Sequence, residues 1–506
     1  MIPSVFHPKS SADYIDSALY DQSGRSAFGD QRLAKRYVGL MKAIQQKGSI
    51  VFHQLSSRQK DRIGAYRFIN NDRVSLGELI YQCCQISPSQ IEGQDLVAYI
   101  DGSTIGVKSN SADKSYWAEH YGVHGDNRSP GFYVYPSLIV NNNNEGTIVG
   151  LGDVLIYSRQ LAKGTKAENI KQRTKRRILP LEQQESGIWS IVAGNTNRRL
   201  EMAKRLTYVM DQAGDIYEVL QKIASQLSSD FIVRVKTNRG AKELDNGMVG
   251  KFSTLLEQSP CWSYYRTWIR ALNHYSKTKA RRIRRKQRNA LLGLKCIGLV
   301  LKRPSHYAHA HNKNKGTLDQ PLYLVEVKEQ PCSVPAEEDP IHWRLLTSWP
   351  VQTRDPAHRV VQTTQNRWHI EQLFRVLKKQ GFQIEQSQYR NPYITEKLAV
   401  MALKASTDAL KLTQVRDGQT YVPIQTMFTE QECQILSQFN ENLSGQTPTV
   451  VNPHQTDSLA WAAWVIARLG HWSGYPSQRP PGPITMDRGL KRFKDFCNLR
   501  KLMEDP

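Results

Sequence analysis

Two apolar runs in this chain end alike: LVAYI (96–100) is closed by Asp101 and RLTYVM (205–210) by Asp211. Runs this short, rich in β-branched and aromatic residues, read as buried strands. After the second run comes a helical pattern, DIYEVLQKIASQL (215–227), with Asp215 as the expected N-cap and Glu218 three residues on, the spacing of a capping box. FIVRVKT (231–237) reads as a further strand. Strand, helix, strand is the pattern of an α/β sheet. A carboxylate at the carboxyl end of a core strand points into the crevice where open sheets of this kind bind ligands. The plainer alternative for each aspartate is a turn or a cap.

A third acid lies on a helix expected from about Ala357 to Gln380 and stopped by Gly381. At ~100° per residue, Thr364, Arg367, Glu371 and Lys378 fall within about a 60° stripe, and Ile370, Leu373, Phe374 and Leu377 form a core face roughly 110° away. One acid and two cations thus line the edge of the buried face, an arrangement suited to a carboxylate holding a metal beside cations that take phosphate oxygens. The alternative is an Arg367–Glu371 i,i+4 ion pair on a solvated helix. Three converging carboxylates repel one another unless divalent cations lie between them. Two Mg²⁺ ions held this way activate a water or a 3′-hydroxyl and stabilise the leaving oxygen of an in-line displacement.

Charge says what the substrate is. Lys and Arg outnumber Asp and Glu by 69 to 46, a net charge of +23, which favours a polyanion. A membrane role is poorly supported, because the longest apolar stretch, LAWAAWVIARL (459–469), is short of the ~18 residues a spanning helix needs and contains Arg468. MIPSVFHPKSSADYID at the start has neither the apolar core nor the cleavage pattern of a signal peptide. The seven scattered cysteines form no CxxC pair, which points to a reducing cytosol and no structural zinc. There is no HExxH, GxSxG, Walker loop or strand-borne GxGxxG. His306, His309 and His311 in SHYAHAHNK read as a surface loop, lacking a nearby acid or Cys.

The organisation expected along the chain is a helical N-terminal region (1–80), a catalytic α/β region (81–436) holding a β-rich insertion at about 238–340, a polar linker (437–457) and a helical C-terminal region (458–506). In the first region Arg32 and Arg36 fall at helical spacing and suit phosphate contacts; the alternative is a solvated helical bundle. FYVYPSLIV (132–140) and TIVGLGDVLIYS (147–158) flank NNNNEG (141–146), a hairpin turn. In the insertion SKTKARRIRRKQRN (276–289), with eight basic residues and no acid, offers Arg281, Arg282, Arg284 and Arg285 to a DNA backbone.

With these residues in place, the chain resembles the insertion-sequence-four family of transposases, the Tn-five-like group of DDE cut-and-paste enzymes. FGDQRLAKR (28–36) and GAYRFINN (64–71) resemble the N-terminal DNA-binding region of that family. YIDGST (99–104), VMDQAGDIYEVL (209–220) and NRWHIEQLFRVLKKQG (366–381) resemble its three acidic segments, with Arg367 and Lys378 at the spacing of the tyrosine–arginine–glutamate–lysine signature. LAWAAWVIARLGHWSG with SQRPPGPIT (459–485) resembles its dimerisation region.

The resemblance implies an RNase H-like core and catalysis by Asp101, Asp211 and Glu371. It implies one active site with two Mg²⁺ ions, Mn²⁺ substituting, that nicks, forms and opens a hairpin on the transposon end and transfers the strand. It also implies a pocket for a flipped base at Trp343, with Trp368 matching a second aromatic, and a homodimer on double-stranded DNA, transposon ends and target alike, in the cytoplasm at a bacterial nucleoid. Trp461, Trp464 and Trp472 would supply the dimer contact; an intramolecular core is the alternative. Two departures stand out: Thr364 occupies the signature tyrosine position, and Gln212-Ala213 stands where the family commonly carries Arg-Glu. Two other readings compete: a catalytically silent DNA-binding regulator derived from such an enzyme, and an RNase H-type nuclease.

Overall fold

The computed structural model describes residues 27–56, 58–107, 121, 123–124, 129–142, 146–158, 181, 184–276, 281–304, 317–386, 389, 391–445, 451–475 and 478–504. The histidines of SHYAHAHNK lie outside them. The chain divides into two compact units, one of Met1–Leu179, Gln183–Lys204 and Trp368–Pro506, the other of Pro180–Glu182 and Arg205–Arg367. The described N-terminal helices and the helices after Arg367 therefore fall in one unit.

The first unit begins with α1 (Gln31–Lys47), started by Asp30, whose side chain accepts the Arg32 N–H at 2.8 Å. Leu40, Met41 and Ile44 form its buried stripe. Helices α2 (Phe52–Leu55), α3 (Gln59–Ile69) and α4 (Leu76–Cys83) follow. Strand β1 (Asp95–Ile100) is buried from Leu96 onward, as its apolar run requires. β2 (Ser103–Gly106), the short β3 (Val123–His124), β4 (Ser129–Asn141) and β5 (Thr147–Tyr157) complete its antiparallel sheet. β5 pairs along most of β4, while β2 and β1 pair with successive halves of β4, Ser103 opposite Val134 and Ile100 opposite Ser137. Helix α5 (Ile188–Arg199) packs on this sheet, and its Asn195 donates to the buried Asp153 carboxylate of β5 at 2.9 Å.

The second unit opens with β6 (Arg205–Met210), then α6 (Tyr217–Gln221), a π-helical turn (Lys222–Gln226) and β7 (Asp230–Arg234), which lies parallel to β6. That is the strand–helix–strand crossover read from the sequence. The remaining strands are β8 (Gly240–Glu243), β9 (Val249–Lys251), β10 (Ser263–Ile269), β11 (Leu272–Ser276), β12 (Arg281–Arg285), β13 (Arg288–Leu301), β14 (Leu322–Glu329) and β15 (His342–Thr347), with α7 (Phe252–Gln258) between β9 and β10. The sheet order is β6-β7-β15-β14-β13-β8-β9; β10 pairs with β13, and β11–β12 is a separate hairpin. Helix α8 (Arg354–Asn366) follows β15.

The chain returns to the first unit with α9 (Trp368–Arg375), a π-helical turn (Val376–Gln380), α10 (Pro392–Val415), α11 (Glu430–Leu443), α12 (Leu459–Leu469) and α13 (Pro483–Glu504). The single helix expected over 357–380 is thus three pieces. Arg367 N–H bonds Thr364 O, three residues back, at 3.2 Å, so the α ladder is interrupted there, and Val376–Gln380 loosens to i→i+5 spacing. The linker expected from 437 begins inside α11, which Thr429 and Glu432 start with a reciprocal capping box. α12 is buried nearly all round: Trp461 and Trp464 are 3% and 4% exposed, packed with Leu436 of α11 and Phe493 of α13. Of the two readings of these tryptophans, a dimer contact or an intramolecular core, Trp461 and Trp464 fit the second, since a helix apolar on nearly every side belongs in a core.

Candidate active site

In the first unit, Asp101 occupies the break between β1 and β2, opposite Tyr135 and Pro136 of β4. Its Oδ1 accepts the Gly102 N–H at 2.8 Å. A Cβ on Gly102 would lie 2.2 Å from the Tyr135 ring, so the residue after the aspartate has to be glycine for the chain to pass. The side chain is half-buried at the end of a fully buried strand, the position expected from LVAYID.

Glu371 lies in the first turn of α9, half-buried, while Ile370, Leu373 and Phe374 are buried on the core face. Contacts on both flanks fix this helix. His369 Nε2 is 3.4 Å from Gln414 Nε2 of α10, and Gln414 Oε1 accepts the Ile148 N–H of β5 at 2.6 Å. Burial holds the His369 imidazole below its ordinary pKa. Lys378, in the π-helical turn, is 3.7 Å from Glu385, whose carboxylate accepts the Gly106 N–H of β2 at 3.2 Å. Glu385 is an acid the sequence reading passed over.

In the second unit, Asp211 follows β6 and caps a 3₁₀ turn (Gln212–Gly214), accepting the Ala213 N–H at 2.8 Å. Gln212 donates to Val235 O at 3.1 Å, which ties that turn to the end of β7. The Arg234 guanidinium at this end is held below its usual pKa by desolvation first and by Arg367 next, with Asp211 acting in the opposite sense. Arg367 and Asp211 thus act in opposite senses on the Arg234 guanidinium at the end of β7. The sequence reading found Arg367 and missed Arg234; the signal was FIVRVKT, whose cations end a strand next to the one that ends in Asp211.

Asp215 corrects a second expectation. The N-cap of α6 is Ile216, and Asp215 is buried, ion-paired to Arg239. Its Oδ2 accepts the Lys236 and Thr237 N–H groups at 2.7 and 3.0 Å, and Arg239 Nη2 donates to Asp215 O at 2.7 Å. One carboxylate therefore locks the turn after Asp211 to the segment after β7.

Thr364, which the resemblance places at the signature tyrosine position and which would bond phosphate there, donates its hydroxyl to Val360 O of its own helix α8 at 2.8 Å. Trp343, the second residue of β15, is half-buried, and Trp368, the first of α9, is 53% exposed. The Arg32 side chain is 93% exposed, whereas Arg36 lies 3.8 Å from Asp61 and braces α1 against α3. Arg285 Nε donates to Arg270 O at 3.2 Å. Arg281, Arg282 and Arg284 lie on β12, and their side chains fall outside the described residues.

Among the described residues no three His, Cys, Asp or Glu side chains form a group that could hold a metal. Each acid expected from the sequence to hold metal, Asp101, Asp211 and Glu371, offers carboxylate oxygens, hard ligands of the kind Mg²⁺ takes. Among the described residues no helix is long and apolar enough to cross a membrane.

Residues 191–407 match the family model of the transposase DDE domain, and residues 15–74 match that of a transposase DNA-binding domain. The first match contains Asp211 and Glu371, and Asp101 precedes it. A DDE domain is the engine of metal-dependent DNA cleavage and transfer, and the chain is an enzyme of that type, with DNA as its partner.

Proposed function

We propose that this chain, a transposase DNA-binding domain joined to a transposase DDE domain, is a cut-and-paste transposase of the Tn-five-like group. It binds the terminal inverted repeats of a mobile element and carries out strand nicking, hairpin formation, hairpin opening and strand transfer as a synaptic dimer. The observation that carries this reading is that both kinds of domain occur on one chain, with Asp211 and Glu371 inside the DDE match and Asp101 at the end of a buried strand.

Asp101, Asp211 and Glu371 would hold the divalent cations, Mg²⁺ or Mn²⁺. When bound, the metal supplies Lewis-acid stabilisation and a nucleophile of lowered pKa. The protein's share is position and charge. Arg234, at the end of β7, and Arg367, just after α8, would take phosphate oxygens. Lys378, 3.7 Å from Glu385 here, would take a further phosphate oxygen. Trp343, half-buried at the start of β15, would stack on a base extruded from the duplex and offset part of the unstacking cost. Arg32, with the exposed Lys60 and Arg67 of α3, serves the duplex backbone.

The test is incubation of the full chain with a fragment carrying the element's terminal repeats, with and without Mg²⁺. Mg²⁺-dependent nicks followed by hairpinned ends are expected. Tight binding of the ends with no cleavage under Mg²⁺ or Mn²⁺ would replace the enzyme with a DNA-binding regulator. Trp343→Ala should reduce hairpin formation more than first nicking, and equal loss of both would make it a structural residue.

A further inference from the structure

Strand β10 carries a row of exposed side chains that the reading above does not use. Tyr264 and Trp268 are 59% and 62% exposed, and Arg266 between them is exposed too. Side chains two apart on a strand share a face at steps of roughly 7 Å, so the row runs aromatic, cation, aromatic. The intervening residues turn to the other face, where Tyr265 packs edge-on against His358 of α8 at 4.8 Å and Ser263 Oγ lies 3.4 Å from His358 Nε2. Helix α8 therefore covers one face of this part of the sheet, and the row stands on the other.

The strand register extends that second face inward. Tyr264 is opposite Gly293, Gly293 opposite Lys328, and Lys328 opposite His342. In the next row Lys295 is opposite Glu326 and Glu326 opposite Arg344. Glu326, the carboxylate of these rows, is taken up by His342 at 2.7 Å and Arg344 at 3.0 Å. Gly293 leaves room: a Cβ there would lie 2.6 Å from Gln330 Nε2 and 3.3 Å from the Tyr264 ring. The result is a hollow of about 290 Å³ beside Tyr264, whose wall carries Lys295, Lys328 and Arg344 together with Glu257, Glu326 and Glu329; Glu326 is held by His342 and Arg344, and Glu329 by Arg288. Trp343, between His342 and Arg344 on β15, belongs to the opposite face by strand alternation. This surface is therefore separate from the base pocket considered above.

Exposed aromatic rings on an edge strand are a liability for a soluble sheet. Ring faces interleaved with cations are also the chemistry that recognises single-stranded nucleic acid, because unpaired bases stack while phosphates meet Lys and Arg. A closed duplex offers phosphates alone and would leave the rings unused. We infer that the open face of β10, continued over β13–β15, binds an unpaired DNA strand, with bases stacked on Tyr264 and Trp268 and the backbone held by Arg266 and Lys328. The inference rests on the transposase reading, in which strands part at the transposon end, and it names the part of the substrate this surface takes.

Fluorescence anisotropy of the full chain tests it with two labelled probes, an oligo-dT strand and a duplex carrying the terminal repeat. Trp268→Ala and Tyr264→Ala are each expected to weaken oligo-dT binding about tenfold, with duplex affinity changed less than about twofold and Trp268→Phe close to the parent. Unchanged oligo-dT binding in both alanine variants overturns the inference, as does equal loss for both probes. A shift in oligomeric state on sedimentation, in place of a change in DNA binding, also overturns it and makes the face a protein interface. If the parent binds the duplex and not oligo-dT, the inference falls alone. If it binds neither, the transposase reading falls with it.

Discussion

Asp215→Ala separates the position the structure gives this residue from the one its local sequence suggests. As a helix cap, the side chain would be worth about 1 kcal/mol. In the structure it is the buried counter-charge of Arg239, whose side chain is 8% exposed. Removing one partner of such a pair leaves a buried charge uncompensated, at a cost of about 3–5 kcal/mol. The Lys236 and Thr237 N–H groups also lose their acceptor, but both residues are exposed and recover water. The ion pair therefore sets the magnitude, a large share of the ~5–15 kcal/mol that holds a typical domain together. Urea unfolding followed by circular dichroism should show a loss of about 3–5 kcal/mol. The double variant Asp215→Ala/Arg239→Met should recover much of it, since the stranded charge is then gone. A loss near 1 kcal/mol would refute the reasoning and return Asp215 to a capping role. A double variant as unstable as the sum of the singles would refute the ion-pair account by another route.

Three further outcomes follow from the geometry. Gly102→Ala places a methyl into the Tyr135 ring and should cost about 1–3 kcal/mol by overpacking; a melting temperature equal to the parent's would show that the ring moves freely. His369 has its pKa lowered by burial, so the folded value is below the unfolded one. Its contribution is complete above the unfolded pKa of about 6.5 and is lost as pH falls through the folded value. Unfolding midpoints should fall less steeply between neutral and mildly acid pH in His369→Gln, and identical slopes would count against this. Trp464→Ala should destabilise the chain by about 3–5 kcal/mol, because the ring is 4% exposed and lies under the Arg468 guanidinium at 5.6 Å. Unchanged thermal stability with weakened self-association would instead put Trp464 at a dimer contact.

What could be read in the chain was what its local chemistry determines. Buried apolar runs closed by Asp101 and Asp211 are strands with carboxylates at their ends, and the crossover between β6 and β7 follows from the helical period that separates them. The break at Arg367 was hidden because the apolar stripe of Ile370, Leu373, Phe374 and Leu377 continues past it, so periodicity alone extends the helix. Asp215 was misread because capping is a local pattern and Arg239 is remote in sequence until β7 returns the chain. LAWAAWVIARL did carry its own signal, since a helix with almost no polar side is buried, but the resemblance to a dimerisation region left the core and the dimer contact as alternatives. SYYRTWI (263–269) likewise alternates plainly, but which of its two faces is open depends on where α8 packs.

The central claim is that Asp101, Asp211 and Glu371 carry the cleavage chemistry. The most direct measurement is Mg²⁺-dependent cleavage of a terminal-repeat duplex by the parent and by Asp101→Ala, Asp211→Ala and Glu371→Ala, with duplex affinity measured in parallel. Each variant should lose cleavage by several orders of magnitude while its DNA affinity stays close to the parent's. Cleavage retained in any one of them would contradict the account at that residue.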